Sequence, residues 1–283
     1  MGNLIADAFP ANPIISIATS NRILKGKRVY VIFFLPRSGS TWLTELASKD
    51  GRLGTPHEWF NEWWIYGDGE LLGCVPPRVM GTHDINEYIE RVVEMYRSPN
   101  GVMGLEISLT QMRMLIKIVE NPHSIKGVLT VFYLRRRNLV AQAISIYRSV
   151  ATSYFHSFQD DSEARSRFDA LDYSGDAIAG CMQDIINYEN SFEELFATCG
   201  IKPHRFFYED IVADNSHVLD WMAATVTGST TPGAGTPSED WLIKPISDWK
   251  NRAWEEQFRL EQWEQFRDAT ADRPALLDDP SLL

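Results

Sequence analysis

Cysteine is scarce in this chain and scattered along it. The 283 residues include three, Cys74, Cys181 and Cys199, with no CxxC pair and no Cys/His cluster at zinc-ligand spacing. This argues against a metal site or a disulfide framework and predicts buried free thiols in a reducing compartment. Positive charge is also in deficit. Lysine and arginine number 27 against 38 acidic residues, a net charge of −11. A chain this acidic is not built to wrap nucleic acid, so any anion it binds must be met by a local cluster of cations. Long apolar runs are missing, and none reaches the roughly 18 residues of a membrane span. The opening MGNLIA lacks the basic start and apolar core of a signal peptide, and Ala6 breaks the myristoylation pattern. The expectation is a cytoplasmic protein with no membrane span. No internal repeat is visible.

What is present is a length and a 44% hydrophobic content that suit one α/β domain over residues 1–283. Val29–Leu35 and Val128–Leu134 are apolar, β-rich runs, each followed by polar residues and then a helical pattern. That is the grammar of a parallel sheet covered by helices on both faces, a three-layer arrangement. A third short strand is expected at Arg205–Tyr208. Helical periodicity marks Asn86–Ser98, Leu139–Val150, Asp176–Ala197 and Trp254–Arg267, within a C-terminal helical segment spanning about residues 250–270. Residues 228–238, GSTTPGAGTPS, read as a loop.

The turn after the first run is PRSGST. The first N–H groups of a helix lack intrahelical partners and, with the helix dipole, attract anions. Gly39 permits close approach of the backbone. Ser38, Ser40 and Thr41 bring hydroxyls, and Arg37 brings a fork suited to phosphate or sulfate oxygens. The turn is not a Walker A loop, because its cation precedes the glycine and the loop is shorter. A plain capped turn would read the same way. The second run, VFYLRRRNLVAQAISIYRS, repeats the grammar, with Arg135, Arg136 and Arg137 at the strand end and Ser145 further along the helix. A solvated basic face is the alternative there. Two such clusters on neighbouring strand ends imply a ligand with two separated anionic groups.

Together these motifs resemble the PAPS-dependent sulfotransferases, whose donor 3′-phosphoadenosine 5′-phosphosulfate carries two anionic ends. PRSGSTWL is similar to the family's 5′-phosphosulfate loop. RRNLVAQAIS is similar to its 3′-phosphate motif, an arginine followed by a serine eight or nine residues later; Arg137 (145 − 137 = 8) and Arg136 (145 − 136 = 9) both fit. GTPHEWFN at Gly54–Asn61 and AQAIS resemble the Stf0 branch, whose known member sulfates trehalose. YED at Tyr208–Asp210 and ISDWKN at Ile246–Asn251 resemble further sulfotransferase segments, the latter following a basic 3′-phosphate contact for which Lys244 is the nearest candidate. The resemblance implies a P-loop-like fold, PAPS as donor, PAP as product, no metal, and a homodimer. The chain departs from the branch at Glu106, where a lysine is usual, and at Ala151-Thr152, where a Gln-Thr pair is usual.

The resemblance implies that Arg37 and the Ser38–Thr41 loop stabilise charge on the leaving group. Trp42 either stacks on adenine, as in the cytosolic relatives, or packs in the core. Tyr208 joins the donor-side set. Glu58 is the expected base: it follows a turn and precedes aromatics that would raise its pKa, though a first-turn carboxylate is also simply favoured by the dipole. His57 and His83 are the alternatives. Trp59, Phe60 and Trp63 are expected either in the core or on an acceptor wall, with His83 and His156 as further acceptor-side candidates. The expected activity is sulfuryl transfer from PAPS to an alcohol of a carbohydrate, glycolipid or related small molecule. The rivals are a small-molecule kinase with a divergent loop, for which Asp210 is the candidate magnesium ligand, and a non-catalytic nucleotide-binding module.

Overall fold

The structure, a computed structural model, describes residues 2–24, 28–66, 80–121, 129–159, 161–229, 243, 246 and 248–267, with the side chains of residues 62 and 63 excepted. Its described sheet has four parallel strands, β1 (Arg28–Phe34), β2 (Val102–Ile107), β3 (Thr130–Arg135) and β4 (His204–Phe207), in the order β2-β1-β3-β4. The burial of β1 explains its sequence: six of its seven residues are buried, so the strand reads as one apolar run without alternation. Val29, Val31 and Phe33 face one side with Tyr133, Phe192 and Phe196. Tyr30, Ile32 and Phe34 face the other with Leu43, Leu46, Leu219 and Met222. The expected three layers follow from that alternation of side-chain direction.

β4 is the expected third strand, one residue earlier than its sequence signal; Tyr208 begins the helix Tyr208–Ala213. β2 was not foreseen. Its VMGLEI interrupts the apolar run with a glycine and a glutamate. Gly104 is required by crowding, because a Cβ there would lie 2.4 Å from the Tyr30 ring and 2.6 Å from Pro56.

The helices follow their caps. Asp84, Asn138 and Ser174 accept backbone N–H groups at the starts of Ile85–Tyr96, Leu139–Thr152 and Gly175–Cys199. The last long helix starts earlier than its periodicity suggests, at Trp249, because Asp248 accepts from the N–H groups of Lys250 and Asn251. A 3-10 turn over Trp263–Phe266 continues it. Residues 268–270 of the expected helical segment and 230–238 of the expected loop lie outside the described residues, as does Cys74. Cys181 and Cys199 are free and half-buried rather than buried.

From β1 the chain runs to one side to form β2, then crosses back to form β3 on the other. The loops after β1 and β3 therefore diverge, leaving a crevice at the carboxyl ends of the two strands, the place where open α/β sheets bind ligands. A fully buried arginine fixes the helix that closes this crevice. The Arg148 guanidinium grips Asp248 with bonds of 2.8 and 3.0 Å, donates to the Phe168 carbonyl at 3.2 Å and lies 3.8 Å over the Phe168 ring. Burial alone would raise the Asp248 carboxyl, but the bonds and charge of Arg148 outweigh it and hold the group below the usual range.

Removing one partner of a buried ion pair strands the other, so Arg148→Met should cost about 3 kcal/mol in urea unfolding. Because the folded-state value of Asp248 is depressed, its contribution is present above the ordinary carboxylate range and is lost as pH falls through it. The wild type should therefore lose stability on acidification more steeply than the variant, and parallel acid titrations of the two would show whether it does.

Candidate active site

The loop between β1 and the helix Ser40–Asp50 is shaped for close approach. Arg37 has φ 63° and Gly39 φ 87°, both left-handed. Gly39 is the N-cap and supplies no side-chain cap, so the first N–H groups of this helix stay directed at the crevice. A Cβ on Gly39 would lie 2.3 Å from the Tyr208 ring, so the glycine is needed for contact as well as conformation. Gln142 holds the loop by donating from Nε2 to the Pro36 carbonyl at 2.9 Å. The Ser38 hydroxyl is fully buried and has no hydrogen-bond partner among the described residues. Buried hydroxyls are nearly always satisfied, so this one calls for a partner that those residues do not supply.

The crevice opens into a cavity of about 820 Å³. Its wall carries Arg37, Gly39, Ser40, Thr41 and Trp42 from the first cluster, Arg136 and Ser145 from the second, and His156 and Tyr208. The two clusters touch. Arg37 Nε donates to Ser145 Oγ at 2.9 Å, its Nη1 to the Phe155 carbonyl at 2.6 Å, and Arg136 Nη1 to the Arg37 carbonyl at 3.2 Å. Burial, then the nearby charge of Arg136, pulls the Arg37 guanidinium down to about 10. A cation thus weakened is short of negative charge.

The structure separates the two arginines that fit the sequence motif equally well. Arg136 is on the wall, 4.8 Å over the Tyr208 ring. Arg137 is paired with Asp210 at 2.6 Å and lies over Phe207. Trp42 stands edge-on to Tyr208 with centroids 6.1 Å apart, half in the wall and half against the core.

Glu58 is half-buried and is not among the residues that line this cavity. It accepts from Asn61 Nδ2 at 2.7 Å and Gln111 Nε2 at 3.1 Å. Burial raises its carboxyl, against the lowering effect of those two bonds. His57, beside it, is buried between Trp59 and Trp64, and its Nδ1 has no partner among the described residues. Burial and then His156 push it down to about 4, so it is neutral at working pH and a weaker base than an ordinary histidine. His156 is likewise held at about 4 by burial and then Arg37.

Several expected residues lie elsewhere. Trp59 and Phe60 are in the core, in the turn before the short helix Glu62–Ile65, with Trp59 stacked on Tyr96 at 4.4 Å. His83 is exposed in the turn before the Ile85–Tyr96 helix and is not on the cavity wall. Lys244 and the Trp63 side chain lie outside the described residues. Asp210 spends its oxygens on Arg137 and on the Phe207 N–H. Sequence reasoning missed Phe155, Trp249 and Arg252, which also line the cavity. Trp249 and Arg252 sit at or beside the quoted ISDWKN segment, which was the available signal; Phe155 gave none.

Compared with known proteins, residues 29–261 match the family model described as Stf0 sulphotransferase. A trehalose 2-sulfotransferase of Mycobacterium tuberculosis (strain ATCC 35801 / TMC 107 / Erdman) is 28% identical over 76% of this chain and 93% of its own length. One of Mycolicibacterium smegmatis (strain ATCC 700084 / mc(2)155) is 24% identical over 81% of this chain and 94% of its own length.

Gly39→Ala should cost about 1–3 kcal/mol in stability from backbone strain, and more if the Tyr208 ring cannot yield. Gly39→Ala combined with Tyr208→Ala should recover only the steric part. Thermal unfolding of the two variants separates the terms.

Proposed function

The chain belongs to the Stf0 sulphotransferase family, and from that premise we propose that it moves a sulfuryl group from PAPS to an alcohol of a carbohydrate. The observation that carries this reading is the meeting of Arg37 and Arg136 in one cavity, on loops at neighbouring strand ends, with uncapped helix amides beside them. Two converging cations in an acidic chain fit a ligand with two anionic ends. The buried Ser38 hydroxyl and the bare N-terminus at Gly39 fit the 5′-phosphosulfate end. Arg136 and Ser145 fit the 3′-phosphate, and Trp42 and Tyr208 offer faces to adenine. The relatives' name supports a sugar acceptor; trehalose is the first compound to try, and glycolipids are the wider class.

In such a transfer the acceptor oxygen bonds to sulfur, the bond from sulfur to the 5′-phosphate oxygen breaks, and the acceptor's proton passes to a base. The protein's part is positioning and charge stabilisation. Arg37 and the loop amides face the charge that grows on the departing phosphate. Glu58 takes the proton, and its raised carboxyl is better matched to that task than an ordinary one. The kinase alternative is disfavoured because Asp210, its candidate metal ligand, is tied to Arg137. No described helix is long and apolar enough to cross a membrane.

PAP should raise the melting temperature by mass action, whereas ATP with magnesium should not; the reverse result would revive the kinase. Arg136→Ala should weaken PAP about 10–100-fold, the worth of a charged hydrogen bond. Arg137→Ala should lower stability yet leave PAP affinity nearly intact, and equal losses of affinity in the two would overturn the assignment.

Glu58→Gln should abolish turnover while PAP still binds. Glu58 must be ionised to accept a proton and its carboxyl is raised, so wild-type activity should fall on the acid side above the ordinary carboxylate range. A pH–rate profile whose acid limb sits at or below that range would remove Glu58 as the base.

A further inference from the structure

The mechanism above leaves one buried group of the site unused. Glu106, on β2, is 2% exposed. Its backbone N–H donates to the His57 carbonyl at 2.9 Å, which lays the 57–58 segment along the strand and brings Glu58 to face it. The Thr44 hydroxyl donates to Glu106 Oε1 at 2.7 Å, and Ser40 is hydrogen-bonded to the same carboxyl. Ser40 is the first residue of the helix behind the anion loop and lies on the cavity wall. Glu106 is therefore the floor beneath the loop.

Every described titratable group that faces this carboxyl is an acid. Glu58 comes from the segment before it, and Tyr30 from β1; Asp50, which faces Tyr30 in turn, is paired with Arg52. Ser40 and Thr44 from the helix are neutral. Among the described residues no cation within reach offsets a charge on Glu106. A dry site cannot hold two ionised carboxylates beside an anionic ligand without a large cost.

We propose that Glu106 works as a neutral carboxylic acid whose proton sets the direction of the Ser40 hydroxyl, so that the loop offers this hydroxyl to its anion only while Glu106 is protonated. The inference rests on the donor-site reading of the loop. An ionised carboxylate can only accept, and it draws the hydroxyl hydrogens of both Thr44 and Ser40 to itself. Ser40 then turns lone pairs toward the cavity, where an anion is repelled. A protonated carboxyl keeps accepting from Thr44 while its own O–H donates to Ser40 Oγ, which frees the Ser40 hydrogen for the ligand. Burial first, then the charge of Glu58, raises the Glu106 carboxyl well above the ordinary range, against the bonds from Thr44 and Ser40. The neutral form thus persists to higher pH than for an ordinary glutamate and is lost as pH rises. Glu106 is a positioning residue, distinct from the base.

The test is PAP affinity by calorimetry over a pH series that rises from the ordinary carboxylate range into alkaline solution, for wild type and Glu106→Gln, each also in a Glu58→Gln background to remove the second carboxyl. Loss of one charged-ligand hydrogen bond and addition of one buried charge should weaken wild-type binding about tenfold or more across this series. Glu106→Gln, whose amide keeps a donor, should bind at least as well as wild type at neutral pH and lose the dependence. Infrared difference spectra of wild type supply an independent readout that survives a variant that does not fold: the carbonyl stretch of a protonated carboxyl should be present at neutral pH and fade as pH rises. Equal pH dependence in wild type and variant, or absence of that band, overturns the inference while PAP binding upholds the donor reading. No PAP binding by any of the proteins overturns the donor reading and this inference with it.

Discussion

Two guanidinium groups held together in a half-buried cavity are the constraint on which the site depends. Arg37 and Arg136 repel each other, and burial deprives both of water; the depressed value of Arg37 records that cost. Like charges stay together only when the surrounding bonds over-determine them. Arg37 bonds neutral acceptors, Ser145 and the Phe155 carbonyl, whereas Arg136 bonds the Arg37 carbonyl and stands 3.8 Å from Glu209. Hydrogen bonds to neutral oxygens orient a guanidinium without cancelling its charge. The charge on Arg37 is what an anion would complete. The left-handed backbone at Arg37 and Gly39 belongs to the same arrangement, since strain of this kind persists only where packing enforces it.

The three consecutive arginines after β3 show how the fold keeps some cations available while neutralising others. Arg135 turns to Glu189 on the long helix, with bonds of 2.7 and 3.2 Å. Arg137 turns to Asp210. Between them Arg136 points into the cavity, with Glu209 no nearer than 3.8 Å. Glu209 is occupied otherwise, accepting from the backbone N–H groups of Arg137 and Asn138 and so fixing the turn into the next helix. The alternation follows from strand geometry, because successive side chains at a strand end leave on opposite sides. A run that reads as one basic patch is in the folded chain a single cavity-facing cation between two that are paired with buried acids.

This difference marks what was legible in the sequence. β1, β3 and the helices after them were readable because full burial leaves an unbroken apolar run and because caps and periodicity agree. The PRSGST turn was readable as a candidate anion loop, because glycine, hydroxyls and a cation stand together beside a buried strand, and a plain capped turn reads the same way. β2 was not readable, since Gly104 and Glu106 answer to neighbours far away in sequence, Tyr30 and the donor-loop helix. Nor was the choice between Arg136 and Arg137 readable, because spacing along the chain does not report which way a strand end turns its side chains. Trp59 and Phe60 were left between core and acceptor wall, and the turn before the short helix Glu62–Ile65 buries both in the core. Phe155 reached the cavity through the loop after the long Leu139–Thr152 helix, where no pattern announces a contact.

The carboxyls Glu106 and Glu58 are the counterpart of the cation half, and the helix Ser40–Asp50 touches both halves. Ser40 of its first turn lies on the cavity wall with Arg37 and Arg136, and Ser40 and Thr44 bond Glu106, which faces Glu58. Ser40 belongs to both, since it is on the cavity wall and bonded to Glu106. A base needs surroundings poor in water and positive charge if its pKa is to stay high, whereas an anion site needs the opposite. Placing the two within one helical turn would let each cancel the other unless something neutral intervened. Hydroxyls can do this, because they relay hydrogen-bond direction without carrying charge, and Ser40 and Thr44 stand where the two halves meet. A lysine at position 106 would extend the cation half through that boundary. Glu106 in its place moves the boundary back to the helix itself, which leaves the raised carboxyl of Glu58 facing another acid rather than a cation.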